Sequence, residues 1–112
     1  MERFYDRFMA SSPEVRNKFR GTDLTTQYRV LRRSLELCPA AAAGDQASLG
    51  ELTTRARTHD RAHLDIRPAL YDLWRQALLA TAADSDPEWD EETEDVWREA
   101  LEFALGLMKT HY

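Results

Sequence analysis

A single cysteine, Cys38, stands in the 112 residues of the chain. One thiol closes no internal disulfide and supplies no cysteine-type zinc cluster, so Cys38 reads as a small buried apolar residue, with a redox handle as the alternative. Apolar runs of the roughly 18 residues needed to span a membrane are missing too. Met1-Glu2-Arg3 leads straight into amphipathic sequence and not into a signal-peptide core. A cytoplasmic protein with no membrane partner is expected. Positive charge is in deficit, with 15 Lys and Arg against 20 Asp and Glu and a net charge of −5. A surface that tracks phosphates needs the opposite balance, which sets nucleic acid aside as a partner. Strict two-residue alternation and Asn-Gly or Asp-Gly turns between apolar runs are lacking, and with them the signals of β-hairpins. No internal repeat, low-complexity tract or long linker divides the chain. What remains is one all-α domain over residues 1–112, large enough for a core with a cofactor pocket.

The helices can be placed from their ends and faces. Phe4, Tyr5 and Phe8 give a first helix an apolar face that stops at Ser11-Ser12-Pro13-Glu14, where Ser12 caps and Pro13 opens a short second helix ending near Phe19. Gly21-Thr22-Asp23 opens a long helix with Leu24, Gln27, Leu31, Leu35 and Cys38 on one face, fading through Pro39 and an alanine run to Gly44. Its stripe contains one polar residue, Gln27. Ser48-Leu49-Gly50-Glu51 has the form of a capping box and starts a helix through Leu52 and Ala56 to His59. Pro68 begins another, with Leu70, Tyr71, Trp74 and Leu78 inward, and Ala83-Asp84-Ser85-Asp86-Pro87 is a turn. The last helix starts near Asp90, with acids at its head, Lys109 near its end, and Val96, Trp97, Ala100, Leu101, Ala104 and Met108 as the expected buried face.

Only three histidines are present, and His59 and His63 are spaced to share one helix face. With Asp60 behind the first, Thr58-His59-Asp60-Arg61-Ala62-His63 looks like a loosened H-E-x-x-H zinc motif. Zinc hydrolysis would need a third ligand and a glutamate base, whereas Asp60 is one methylene shorter and His111 lies at the chain end. A solvated helix end, favoured by the helix dipole, and a planar iron cofactor stay open on spacing alone.

Tyr5, Phe19, Gln27, His59 and Tyr71 occur in the order in which a globin meets its haem. Phe4-Tyr5-Asp6-Arg7-Phe8, Ser12-Pro13-Glu14-Val15 and Phe19 resemble the bacterial globins, including the globin portion of flavohaemoglobins and globin-coupled sensors. There a helix tyrosine lies over the distal face and a phenylalanine packs on the ring. Gln27-Tyr28-Arg29-Val30-Leu31 is similar to the distal helix of that family, and His59 with Ile66-Arg67-Pro68-Ala69-Leu70-Tyr71 to its proximal segment. The segment between Phe19 and Gln27 is shorter than in flavohaemoglobins, and that between His59 and Pro68 longer. The tyrosine-bearing helix comes first, so a shortened globin fold lacking the usual N-terminal helix is expected.

The resemblance implies haem b held through its iron by His59, with His63 as the rival axial residue. Tyr5 and Gln27 would face the bound gas, both as donors to a ligand that takes on negative charge. Phe19, Leu31, Leu52, Ile66 and Trp74 would be apolar pocket walls. His63, Arg67 or Arg61 would meet a haem carboxylate, because an anionic edge needs a donor. Tyr71 matches the tyrosine of the proximal triad of flavohaemoglobins, and Tyr112 falls where their glutamate stands. Expected partners are a diatomic gas (O2, NO or CO) and an external reductase for nitric oxide dioxygenase turnover. The alternative is a regulatory or sensor globin, haemless in one form, that signals to a separate protein partner. The oligomeric state is open, a homodimer included.

Overall fold

A computed structural model describes residues 2–112, and among the described residues all regular structure is helical. Six helices follow in order: α1 (Glu2–Ala10), α2 (Pro13–Lys18), α3 (Leu24–Ala42), α4 (Gln46–Thr58), α5 (Pro68–Ser85) and α6 (Glu91–Thr110). Their starts obey local chemistry. Ser12 accepts from the Glu14 N–H at 3.1 Å with Pro13 in the first helical position. Asp23 caps α3 through Thr25 and Asp90 caps α6 through Thr93. The end of α3 is a Schellman turn: Gly44 adopts φ +95°, its N–H reaches the Ala41 carbonyl at 2.9 Å, and the Asp45 N–H reaches Ala40 at 3.0 Å.

Pro39 lies inside α3, which continues to Ala42 and the Gly44 turn, in line with a helix that fades through Pro39 and the alanines to Gly44. Two expectations are corrected by the structure. The cap of α4 is Asp45 and not Ser48: Asp45 Oδ2 accepts both the Ser48 N–H at 3.0 Å and the Ser48 hydroxyl at 2.6 Å, so α4 begins at Gln46. On α6, Val96 is 62% exposed. The inward stripe runs through Trp97, Leu101, Ala104, Leu105 and Met108, which leaves Val96 about 100° off that stripe on the solvent side.

The apolar side chains gather in two clusters. One joins Phe4, Tyr5, Phe8, Val15, Leu31, Leu70 and Ala77, from α1, α2, α3 and α5. The other joins Leu37, Cys38, Ala41, Leu52, Leu79, Leu101 and Ala104, from α3, α4, α5 and α6. Trp74 and Leu78 of α5 pack against both. Helix α3 also meets α4 through Arg33, whose guanidinium grips the Glu51 carboxylate at two points, each 3.0 Å. Half-exposed ion pairs of this kind add little, so apolar burial holds the helices together.

Leu101 is completely buried at the centre of the second cluster. Leu101→Ala should cost about 2–5 kcal/mol in denaturant unfolding, the range for a buried leucine that leaves a cavity. A loss below about 1 kcal/mol would mean that this cluster collapses freely around the gap.

Candidate functional site

A cavity of about 360 Å³ opens between the two clusters. It falls within the range of roughly 300–1,000 Å³ typical of small-molecule sites. Apolar walls dominate: Phe8, Phe19 and Val15 come from the first two helices, Leu31 from α3, Leu52 from α4, and Leu70 and Trp74 from α5. Ile66 of the α4–α5 loop and Ala104, Leu105 and Met108 of α6 complete them. Tyr5, Gln27, His59 and Tyr71 bring the polar atoms. The structure therefore brings together Tyr5, Phe19, Gln27, Leu31, Leu52, His59, Ile66, Tyr71 and Trp74, drawn from six separate segments of the chain.

His59 sits at the C-cap of α4, and its Nδ1 lies 2.7 Å from the Arg55 carbonyl oxygen one turn back. A carbonyl only accepts, so Nδ1 carries the hydrogen and Nε2 holds the lone pair. A ring oriented in this way, at a cavity wall, is a one-point ligand for a metal, with tautomer and rotation fixed by the backbone. Among the described residues no group of three or more His, Cys, Asp or Glu side chains could hold a metal ion. One imidazole nitrogen beside a phenol and an amide, at an apolar wall, is the polar equipment the cavity offers.

Tyr5 faces the same cavity from α1 and is 4% exposed. Its ring is clamped edge-on by Phe4 and Phe19, with centroids at 4.9 and 5.7 Å. The hydroxyl donates to the Gln27 backbone carbonyl at 2.9 Å. Burial, and secondarily Tyr28, pushes the Tyr5 phenol up to about 12, and burial does the same for Tyr71. Both are neutral donors at physiological pH. Cys38 also lines the cavity, and its burial raises the thiol to about 11 against an opposing pull from Arg55. It is an inert, protonated wall atom.

His63 and Arg67 stand outside the cavity lining. His63 is 62% exposed in its side chain and pairs through Nδ1 with Asp60 Oδ1 at 2.6 Å. Asp60 also accepts the N–H groups of Ala62 and His63, each at 3.0 Å, so it closes the turn after α4 while its own carboxyl is held below the usual range, first by His63. Arg67 is bound by Glu14, with Nε 2.8 Å from Oε2 and a second contact through Nη2. Arg61 places its guanidinium 4.8 Å over the Tyr112 ring, and the Tyr112 hydroxyl donates to Asp65 at 2.5 Å. Tyr71 and Tyr112 are thus on separate errands, one in the cavity wall and one tying down the loop after His59.

Besides further apolar wall residues and Thr58, sequence reasoning missed Lys18, Val30, Ser34, Cys38 and Arg55 as lining residues. Ser34 and Cys38 continue the Gln27–Leu31 face of α3, and Arg55 lies between Leu52 and His59 at helical spacing, so a face read outward from those residues finds them. Lys18 has no such signal, since only the folded chain brings the end of α2 to the α4–α5 loop.

No protein-family model matches the chain, and no curated protein matches it. Among solved structures, it is similar to a Pseudomonas aeruginosa PAO1 protein described as structurally highly homologous to a human hemoglobin. The two are 41% identical, with a TM-score of 0.93 over 99% of this chain and 83% of the other.

The buried phenols set an alkaline limit. A tyrosine whose folded value lies near 12 against an ordinary 10 stabilises the fold fully below pH 10 and loses that contribution as pH rises toward 12. Alkaline unfolding followed by circular dichroism should begin in this window, and Tyr71→Phe should move its onset upward. An unchanged onset would place the alkaline sensitivity elsewhere.

Proposed function

The chain belongs to the globin family, and from that premise we propose that it binds haem b, which His59 would hold through its iron, with Tyr5 and Gln27 as the residues that would meet a diatomic gas. The observation that carries this reading is the His59 Nδ1 contact with the Arg55 carbonyl, which leaves Nε2 as the coordinating nitrogen at the wall of an apolar cavity. Haem supplies a ferrous iron that takes O2, NO or CO and, with an external reductase, can convert nitric oxide and oxygen to nitrate. The chain supplies the rest. Phe19, Leu31, Leu52, Ile66 and Trp74 keep water from the ring, and the imidazole of His59 is held in one tautomer before any cofactor arrives.

Tyr5 is the distal donor, under one constraint. Its single hydroxyl hydrogen is given to the Gln27 carbonyl, so donation to a gas ligand requires that bond to open. A bond to a charged acceptor is worth roughly 1.5–3 kcal/mol and the bond surrendered about 1, leaving a net gain of roughly 0.5–2 kcal/mol. Tyr5→Phe should therefore speed oxygen dissociation by about two- to thirtyfold in stopped-flow measurements, with carbon monoxide release nearly unchanged. Equal oxygen off-rates in the two proteins would remove Tyr5 from the gas site.

Absorption spectra of the protein reconstituted with haem test the reading as a whole. A stoichiometric complex with a sharp Soret band in its carbon monoxide form is expected, abolished in His59→Ala and only weakened in His63→Ala. The reverse pattern would move the axial role to His63. An absence of saturable haem binding would leave a haemless globin that acts through its surface on a protein partner.

A further inference from the structure

The cavity wall carries two cations, Lys18 and Arg55, and no carboxylate. In a chain of net charge −5 that is a local inversion of sign. The two cations are not equivalent. Arg55 is a brace between helices: its Nη1 donates to the Ser34 hydroxyl at 2.6 Å, and its Nη2 stands 3.6 Å from Glu51. Lys18, at the exposed end of α2, touches no carboxylate and donates only to the Leu64 carbonyl at 2.9 Å. Glu14, one turn before it, is the acid placed to neutralise it, but that carboxylate is taken on both oxygens by Arg67. An ammonium at the mouth of an apolar cavity, facing a neutral carbonyl, is matched by a ligand whose body is apolar and whose outer edge is anionic.

We propose that Lys18 is the residue that binds a carboxylate of the cofactor, a role that rests on the haem reading and replaces His63 and Arg67 in it. Both of those side chains are spent on acids of the chain itself, Asp60 and Glu14. In that role Lys18 would hold the carboxylate edge at the opening between α2 and the loop after His59. Because Lys18 bonds the Leu64 carbonyl in that same loop, cofactor and loop share one donor group, which has three hydrogens to give.

The test compares haemin with haemin dimethyl ester, whose edge is uncharged, by absorbance titration of the wild-type chain, Lys18→Gln and Lys18→Glu. Glutamine can still donate to Leu64, which separates charge from loop support. Wild type should bind haemin about three- to fivefold more tightly than the ester, the size of a partly solvated ion pair. Lys18→Gln should bind the two equally, and Lys18→Glu should prefer the ester. If every variant keeps the wild-type preference, or if both ligands weaken in parallel, Lys18 does not meet the carboxylate. Wild-type protein that binds neither porphyrin would overturn the haem reading itself, a result distinct from the other two.

Discussion

A cavity between two half-cores is the constraint around which this chain is arranged. No helix pair closes it: α1, α2, α3 and α5 build one wall, while α3, α4, α5 and α6 build the other. Apolar side chains that border a cavity surrender dispersion contacts on one side, so each wall needs its own compact backing. Fully buried Phe4 backs one and Leu37 and Leu101 the other. Trp74 and Leu78 span the two clusters, and Trp74 reaches the cavity as well, which makes α5 the keel of the molecule.

Within that frame, polar groups are held by the backbone. The His59 imidazole is tied to the Arg55 carbonyl and the Tyr5 phenol to the Gln27 carbonyl. Both anchors are main-chain atoms of helices, the least mobile acceptors available. The two bonds differ in consequence. The first leaves Nε2 of His59 available, whereas the second occupies the one hydrogen Tyr5 can offer, so the histidine is poised as the cavity stands and the tyrosine must give up a bond before it can donate elsewhere.

Much of the fold is legible in the sequence because its helices are bounded by local chemistry: Ser12-Pro13, Asp23, Pro68 and Asp90 each act within a few residues of themselves. Local chemistry also misleads where two caps compete. Ser48 reads as the helix starter, and the structure uses it together with Asp45, the serine hydroxyl donating to the aspartate that caps. Pro39 inside α3 costs the helix the bond it cannot donate and crowds the carbonyl one turn back, and the Schellman turn at Gly44 still closes the residues beyond it. The order Tyr5, Phe19, Gln27, His59, Tyr71 brings the cavity residues into view because each recurs at a fixed place on its own element. The charged rim is illegible for the opposite reason. Whether Lys18, His63 or Arg67 meets the cavity depends on which acid each finds, and Glu14 to Arg67 is a contact across 53 positions that no local pattern encodes.

The contact between α2 and the rest of the fold is slight: α2 packs chiefly on α1, and α1 in turn on α5. Tyr5, Phe8, Val15 and Phe19, one side of the cavity, therefore belong to a two-helix arm tied to the rest by the cluster it shares with Leu31, Leu70 and Ala77, by the Tyr5 hydroxyl on α3, by Arg7 on Asp84, by Arg67 on Glu14 and by Lys18 on Leu64. The arm is mounted in series: α2 takes its place from α1, so any change in how α1 seats on α5 is carried on to Val15 and Phe19 at the cavity wall.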